Sequence, residues 1–248
     1  VEMFESMGVI VINKGEGIRC SRDKLRGSQI LMEAGVPVPT TVNVGAWEDT
    51  IRAVNQVGGT PCVVKSNEGT HGSTVFLART EQQARQLVYQ MLDRGMRPLV
   101  QEYIQESHGQ DVRALVVGGK VVAAMRRKAH GSEFRSNFHL GGSVEPVEIS
   151  DRYAEIACTA ARTLGLDLAG VDMLESRSGA LVLEVNSSPG LEGIESVMGK
   201  GFVAAEVVRM LNRKLEEARG DTGSPKSSEM SGAGSDAFSV YDLSLIHI

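Results

Sequence analysis

Three oxygen-bearing side chains on two short apolar runs could hold a cation in this chain. They are Asp172 in Gly170-Val171-Asp172-Met173-Leu174, and Glu184 and Asn186 in Leu183-Glu184-Val185-Asn186. Both runs read as strands joined by a turn near Arg177 to Gly179, so Glu184 and Asn186 point to the same face and Asp172 lies roughly opposite Glu184. Two carboxylates facing each other across a ladder repel, and burial on an otherwise apolar hairpin raises that cost unless a cation sits between them. Magnesium is the natural candidate, since one or two carboxylates and the oxygens of substrate phosphates commonly hold it. The competing reading is a polar edge facing solvent.

Lys65 closes the apolar run Pro61 to Ser66, immediately before Glu68-Gly69-Thr70-His71-Gly72-Ser73. Glycines in that loop let backbone N–H groups approach a phosphate, while the lysine supplies a point charge from the sheet edge. The spacing is neither GxxxxGK[ST] nor GxGxxG, which excludes a P-loop and a dinucleotide fold and leaves an ordinary hairpin turn as the alternative. Arg113, Arg127 and Arg135, the last in Arg135-Ser136-Asn137, offer guanidinium groups suited to phosphate or carboxylate, although each taken singly reads as a surface arginine. Glu102-Tyr103-Ile104, at a strand end, can offer backbone groups to an adenine edge. His71, His108, His130 and His139 lack metal-ligand spacing, and His71 alone sits in a loop that would touch ligand.

These groups must be positioned by a mixture of helices and strands. A helix is predicted over Ser21 to Ala34, capped by Ser21 and stopped by Gly35 and Pro37, with Lys24 in its first turn. Val9 to Asn13 reads as a buried strand and Trp47 to Val57 as a short helix. Strands follow at Pro61 to Ser66 and Thr74 to Ala78, then an amphipathic helix at Glu81 to Arg94 and a strand at Pro98 to Ile104. Asp111 to Val117 and Lys120 to Lys128 flank Gly118-Gly119 and should form a hairpin, so the sheet is at least partly antiparallel. Residues 129 to 144 read as a long loop over a site. Asp151 to Leu164 is predicted as helix, Leu168 to Glu175 with Ala180 to Asn186 as a second hairpin, and Phe202 to Glu217 as the closing helix.

The composition fits a soluble globular protein: 248 residues, 42% hydrophobic and 23% charged. No apolar stretch approaches the roughly 18 residues that span a bilayer, and the N-terminus lacks a secretory layout, so a cytoplasmic setting without membrane contact is expected. Cys20, Cys62 and Cys158 include no CxxC pair and read as reduced packing residues. The net charge is −5, and residues 220 to 248 contribute −3 of it, which leaves a nearly neutral body with no basic footprint for direct nucleic-acid binding. Beyond Gly220 the composition reads as a disordered tail, and the apolar ending Val240 to Ile248 reads as non-native.

Taken together, Arg22-Asp23-Lys24-Leu25, Val63-Val64-Lys65, the Glu68 to Gly72 loop, Gln101-Glu102-Tyr103-Ile104, Asp111-Val112-Arg113, Phe134-Arg135-Ser136-Asn137 and Glu184-Val185-Asn186-Ser187-Ser188-Pro189-Gly190 resemble the ATP-grasp superfamily. Within it, the chain resembles the RimK-like ribosomal-protein glutamate ligases over about Val1 to Leu215, and the run from Asn186 to Ile194 is the most specific piece. The resemblance implies an α+β, ATP-grasp fold with two subdomains, about 21–103 and 104–218, sandwiching ATP, and residues 1–20 as the remnant of a largely missing N-terminal domain.

It also implies roles. Lys24 and Lys65 would lie on the phosphates of ATP, Glu102, Tyr103 and Ile104 at the adenine and Asp111 near the ribose. Asp172, Glu184 and Asn186 would hold two magnesium ions, with manganese as a substitute. Arg113, Arg127, Arg135 and Asn137 would meet phosphate or the reacting carboxylate. The implied reaction forms an acylphosphate and ADP, after which an amine attacks. Glutamate would be the amino acid added, and a ribosomal-protein tail the acceptor. A small molecule or carrier protein as acceptor, and a non-catalytic ATP-binding module, are the other readings, and a homo-oligomer is compatible with all of them. One departure is Gly72-Ser73-Thr74, where relatives usually place a further glycine.

Overall fold

Short valine-rich runs bounded by glycine and proline form the strands of the computed structural model, which describes residues 1–68, 74–131, 134 and 142–221. The first sheet contains β1 (Thr41–Asn43), β2 (Cys62–Ser66), β3 (Val75–Ala78) and β4 (Pro98–Glu102) in the order β1-β4-β2-β3, antiparallel throughout. Its covering helices are α4 (Thr50–Gln56) and α5 (Glu81–Asp93). α5 buries Ala84, Val88 and Met91, one face of a helical repeat, and Thr80 caps it by accepting a bond from the Gln83 N–H at 3.2 Å. Val54, Val64, Val88 and Val100 make the dry centre of this layer.

The second sheet contains β5 (Gln110–Val117), β6 (Lys120–Lys128), β7 (Ser143–Pro146), β8 (Leu168–Ser176) and β9 (Gly179–Asn186) in the order β7-β6-β5-β8-β9, again antiparallel. Gly118 and Gly119 take φ of 57° and 78°, the left-handed pair a two-residue hairpin turn requires. Alternation along β5 separates two cores. Val112, Ala114 and Val116 pack with Ala157, Ala160 and Ala161 of α6 (Asp151–Thr163). Leu115 and Val117 pack with Ile194 of α7 (Glu192–Met198) and with Val203 and Met210 of α8 (Phe202–Asp221). Both sheets belong to one compact unit, Val1–Asn212, and a second begins at Arg213, whose described part completes α8. Among the described residues no helix is long and apolar enough to cross a membrane.

Several local expectations are corrected. The helix predicted over Ser21 to Ala34 is two helices, α2 (Gly15–Arg22) and α3 (Lys24–Glu33), parted at Asp23. Asp23, in extended conformation, is the cap that accepts the Arg26 N–H at 3.0 Å, while Ser21 lies inside α2 and donates back to the Ile18 carbonyl. β4 stops at Glu102 instead of Ile104, and β7 pairs with β6 at the end of what reads as a long loop. α1 (Glu2–Ser6), β1 and α7 carry too little periodicity to be foreseen. α8 continues beyond Glu217 to Asp221, and the tail from 222 to 248 lies outside the described residues. The thiols of Cys20, Cys62 and Cys158 are free, and burial pushes that of Cys62 up to about 11.

Val9 to Asn13 is not a strand: Val9 and Ile10 are exposed, and the buried residue is Asn13. Its side-chain N–H group donates to the carbonyls of Leu168 and Ser187 at 2.7 and 2.8 Å, and its oxygen accepts the N–H groups of Asp167 and Leu168 at 2.8 and 2.9 Å. One amide therefore joins the start of β8 to the segment that follows β9. Asn13→Ala strands those backbone groups and should lower stability by about 3 kcal/mol, read as a lower urea midpoint with an unchanged slope. A variant as stable as the parent would show that water replaces the amide.

Candidate active site

β2 is buried along its whole length, Lys65 included. The Lys65 ammonium donates to Gln101 Oε1 at 3.1 Å, and Gln101 Nε2 in turn donates to Thr41 Oγ1 at 2.7 Å. This partner is neutral, so the hydrogen bond positions the lysine without cancelling its charge. Burial pulls its pKa down to about 8, with Glu184 opposing the shift and Lys24 adding to it. Lys24 opens α3, where the Leu25 N–H is held by Asn67 Oδ1 at 2.8 Å, tying the start of the glycine loop to that helix.

The segment between the sheets is anchored on both sides. Glu102 donates its N–H to the Thr40 carbonyl at 2.8 Å and accepts the Thr40 N–H at 3.2 Å. Ser107, in the short helical turn Gln105–Ser107, donates to the Glu175 carbonyl at 2.9 Å and accepts the Glu175 N–H at 2.7 Å. Tyr103 and Ile104 lie between these anchors, with the Tyr103 hydroxyl against His108 Nδ1.

On the second sheet a single row crosses the strands: Arg113 of β5 pairs in register with Met125 of β6 and with Asp172 of β8, and Asp172 pairs with Glu184 of β9. Asn186 sits opposite Gly170 on the same two strands, so the predicted facing of Asp172 and Glu184 holds, with an irregularity just after Asp172. The counter-charge on Asp172 comes from the protein itself. Arg113 binds it in fork geometry, Nε to Oδ1 at 2.6 Å and Nη2 to Oδ2 at 2.8 Å. Arg127 Nη2 lies 2.9 Å from Oδ2 and also binds Asp111, Nε to Oδ1 at 2.6 Å. Burial alone would raise the Asp172 pKa, but the two guanidiniums outweigh it and hold the carboxyl at about 2. Burial likewise disfavours the Arg127 charge, and Asp172 and Asp111 more than restore it. Asn186 Nδ2 reaches Asp172 Oδ2 at 3.3 Å.

Lys24, Lys65, Glu102, Tyr103, Ile104, Asp111, Arg113, Arg127, Asp172, Glu184 and Asn186, the site residues expected from sequence that are described, all line one cavity of about 370 Å³. Pro189 and Gly193 close its far wall. A Cβ on Gly170 would come within 2.7 Å of Pro189 Cβ, which is why that position must be bare. Arg135 and Asn137, together with Gly69 to Ser73 and His139, lie outside the described residues. Asp111 faces Arg127 as well as the cavity, and the Arg113 and Arg127 forks meet carboxylates, a pairing that sequence alone does not disclose. Gln101 and Ser107 are further missed contributors; a buried glutamine in the apolar run Pro98 to Glu102 is the one signal that could have flagged the first.

Among the described residues no three histidine, cysteine or acidic side chains converge on one point. Asp172, Glu184 and Asn186 nevertheless form an oxygen-donor set of two carboxylates and an amide, which fits a magnesium ion whose remaining positions belong to phosphate and water.

The RimK-like ATP-grasp domain model matches residues 21–211. A probable alpha-L-glutamate ligase of Aeromonas salmonicida (strain A449) is 46% identical over 214 residues, covering 86% of this chain and 72% of that one. Another, from Rhodopirellula baltica, is 48% identical over 216 residues, covering 87% of this chain and 53% of the relative. Among solved structures, the ATP-grasp ligase PsnB complexed with a minimal precursor, Mg and ADP superposes with a TM-score of 0.62 at 23% identity, over 84% of this chain and 64% of that one. That likeness shows the ATP-grasp fold.

A Lys65 ammonium that attracts phosphate would lose that attraction with its proton, so nucleotide affinity is expected to fall as pH rises through about 8. ADP titrated calorimetrically at pH 7 and pH 9 should bind about tenfold more weakly at the higher pH, and Lys65→Met should abolish that dependence. An equally steep profile in the variant would assign the titration to another group.

Proposed function

Since the chain belongs to the RimK-like ATP-grasp family, we propose that it adds glutamate to an acceptor carboxylate through an acylphosphate, and that the acceptor is the C-terminal tail of a ribosomal protein. It is an ADP-forming ligase of the acid-amino-acid class. The observation that carries the reading is the meeting, in one cavity, of a buried lysine hydrogen-bonded to a neutral amide with a carboxylate, carboxylate and amide set on the facing sheet.

The chemistry follows from these groups. The γ-phosphoryl of ATP passes to the acceptor carboxylate and ADP departs; the glutamate amine then attacks the acyl carbon, and phosphate leaves as the amide forms. Lys24 and Lys65 bind and orient the phosphates, and the apolar walls formed by buried Ile104 and Met125 and half-buried Leu174 keep water from the acylphosphate. Magnesium, held by Asp172, Glu184 and Asn186, would neutralise charge on the terminal phosphates, with manganese able to take its place. Arg113 stands beside this set, where a guanidinium can stabilise the charge of the transferring phosphoryl, and Arg135 and Asn137 are proposed to share that task. Glu102, Tyr103 and Ile104 form the wall proposed for adenine, with Asp111 on the ribose side. A cytoplasmic setting supplies both ATP and glutamate.

Incubation with labelled glutamate, ATP and either ribosomal proteins or small acids, followed by intact-mass measurement, tests the acceptor: addition of glutamate masses to a ribosomal protein is expected, and labelling confined to small acids would exclude it. Glu184→Gln should lower turnover by about 100-fold or more while leaving the melting temperature within a few degrees of the parent, since Glu184 is half-buried and outside the arginine cluster. Full activity in that variant with magnesium present would remove Glu184 from the site.

A further inference from the structure

Asp111, Arg127, Asp172 and Arg113 form an alternating chain of two anions and two cations on one face of the second sheet, and its two arginines are not equivalent. Arg127 is bound by both carboxylates, through Nε to Asp111 at 2.6 Å and through Nη2 to Asp172 at 2.9 Å. Arg113 is bound by Asp172 alone among the ion pairs of the described residues, with both contacts on that one carboxylate. Both oxygens of Asp172 are therefore engaged by guanidinium before any cation is added.

A divalent ion drawn to Asp172 would meet two guanidiniums within contact distance of the same carboxylate, and like charges so close in a poorly solvated site repel strongly. One arginine must give way. The one with a second carboxylate keeps a charge partner without moving, and the one without it does not.

Resting on the ligase reading above, we propose that Asp111 is a positioning residue: it retains Arg127, so that Arg113 alone is released from Asp172 when a divalent cation takes that carboxylate. The freed Arg113 guanidinium then faces the cavity it already lines together with Lys65. Occupation of the metal site and delivery of a cation to the reacting phosphoryl or carboxylate are thus one event. Without Asp111, Asp172 would be the carboxylate left to Arg127 among the ion pairs of the described residues, and Arg127 would compete with the metal.

The test reads metal binding rather than turnover. Mn²⁺ is titrated by electron paramagnetic resonance into the full chain with saturating ADP present, for the parent, Arg113→Gln and Asp111→Asn, with thermal unfolding to confirm that each is folded. Removing the competitor in Arg113→Gln should tighten Mn²⁺ binding about tenfold, and Asp111→Asn should weaken it by a similar factor, within the range usual for coupled sites. The double variant Asp111→Asn/Arg127→Gln should recover most of the lost affinity, a rescue that a merely structural Asp111 would not give. If Asp111→Asn does not fold, Arg113→Gln decides alone. Unchanged or weaker binding in Arg113→Gln overturns the proposal while leaving the ligase reading in place. A parent that takes up no Mn²⁺ beyond what free ADP holds overturns both.

Discussion

A carboxylate with almost no access to water, held by two guanidinium groups, sets the arrangement of everything around it. Arg113 and Arg127 keep Asp172 charged where it lies; Arg113 depends on that carboxylate among the ion pairs of the described residues, whereas Arg127 has Asp111 as well. Because Arg113, Asp172 and Glu184 share one row across three adjacent strands, the pairing of β5, β8 and β9 and the electrostatics of the site are a single constraint. A shift of one residue in any of these strands would turn the charged face into the alanine-lined core against α6. Hydrophobic alternation and charge pairing therefore select the same register.

The facing sheet solves the complementary problem. It presents a buried lysine with an amide partner, so that the positive charge is positioned yet still available. One wall of the cavity pairs Asp111 and Asp172 with arginines, and the other presents the Lys65 ammonium hydrogen-bonded to an amide. That asymmetry suits a polyanionic ligand, whose phosphate oxygens can meet the Lys65 ammonium while Asp111 and Asp172 on the facing wall are already matched by arginine.

Much of this is legible from residue types and spacing. The pairing of Asp172 with Glu184 follows from strand alternation and one turn, and the glycine pair at 118–119 announces its hairpin. The α+β architecture and the family also come through, because each motif is a short contiguous run. What stays hidden depends on contacts between distant segments. Asp23 rather than Ser21 caps α3 because the chain bends there to bring Asn67 alongside, and Val9 to Asn13 imitates a strand while its function is one buried amide. The fork between Arg127 and Asp111 needs a cross-strand register to be seen, and Ser107 is an unremarkable serine until it meets β8. Local pattern reveals which groups carry charge, whereas three-dimensional closure decides which of those charges are already spoken for.

The segment joining the sheets is fastened to the first through Glu102 and Thr40 and to the second through Ser107 and Glu175. Few backbone torsions separate those two fastenings, so the path of Tyr103, Ile104 and their immediate successors is fixed from both ends. These same residues wall the cavity. A ligand resting on them would meet backbone that both sheets already hold in place, so the shape of that wall is set before the ligand arrives.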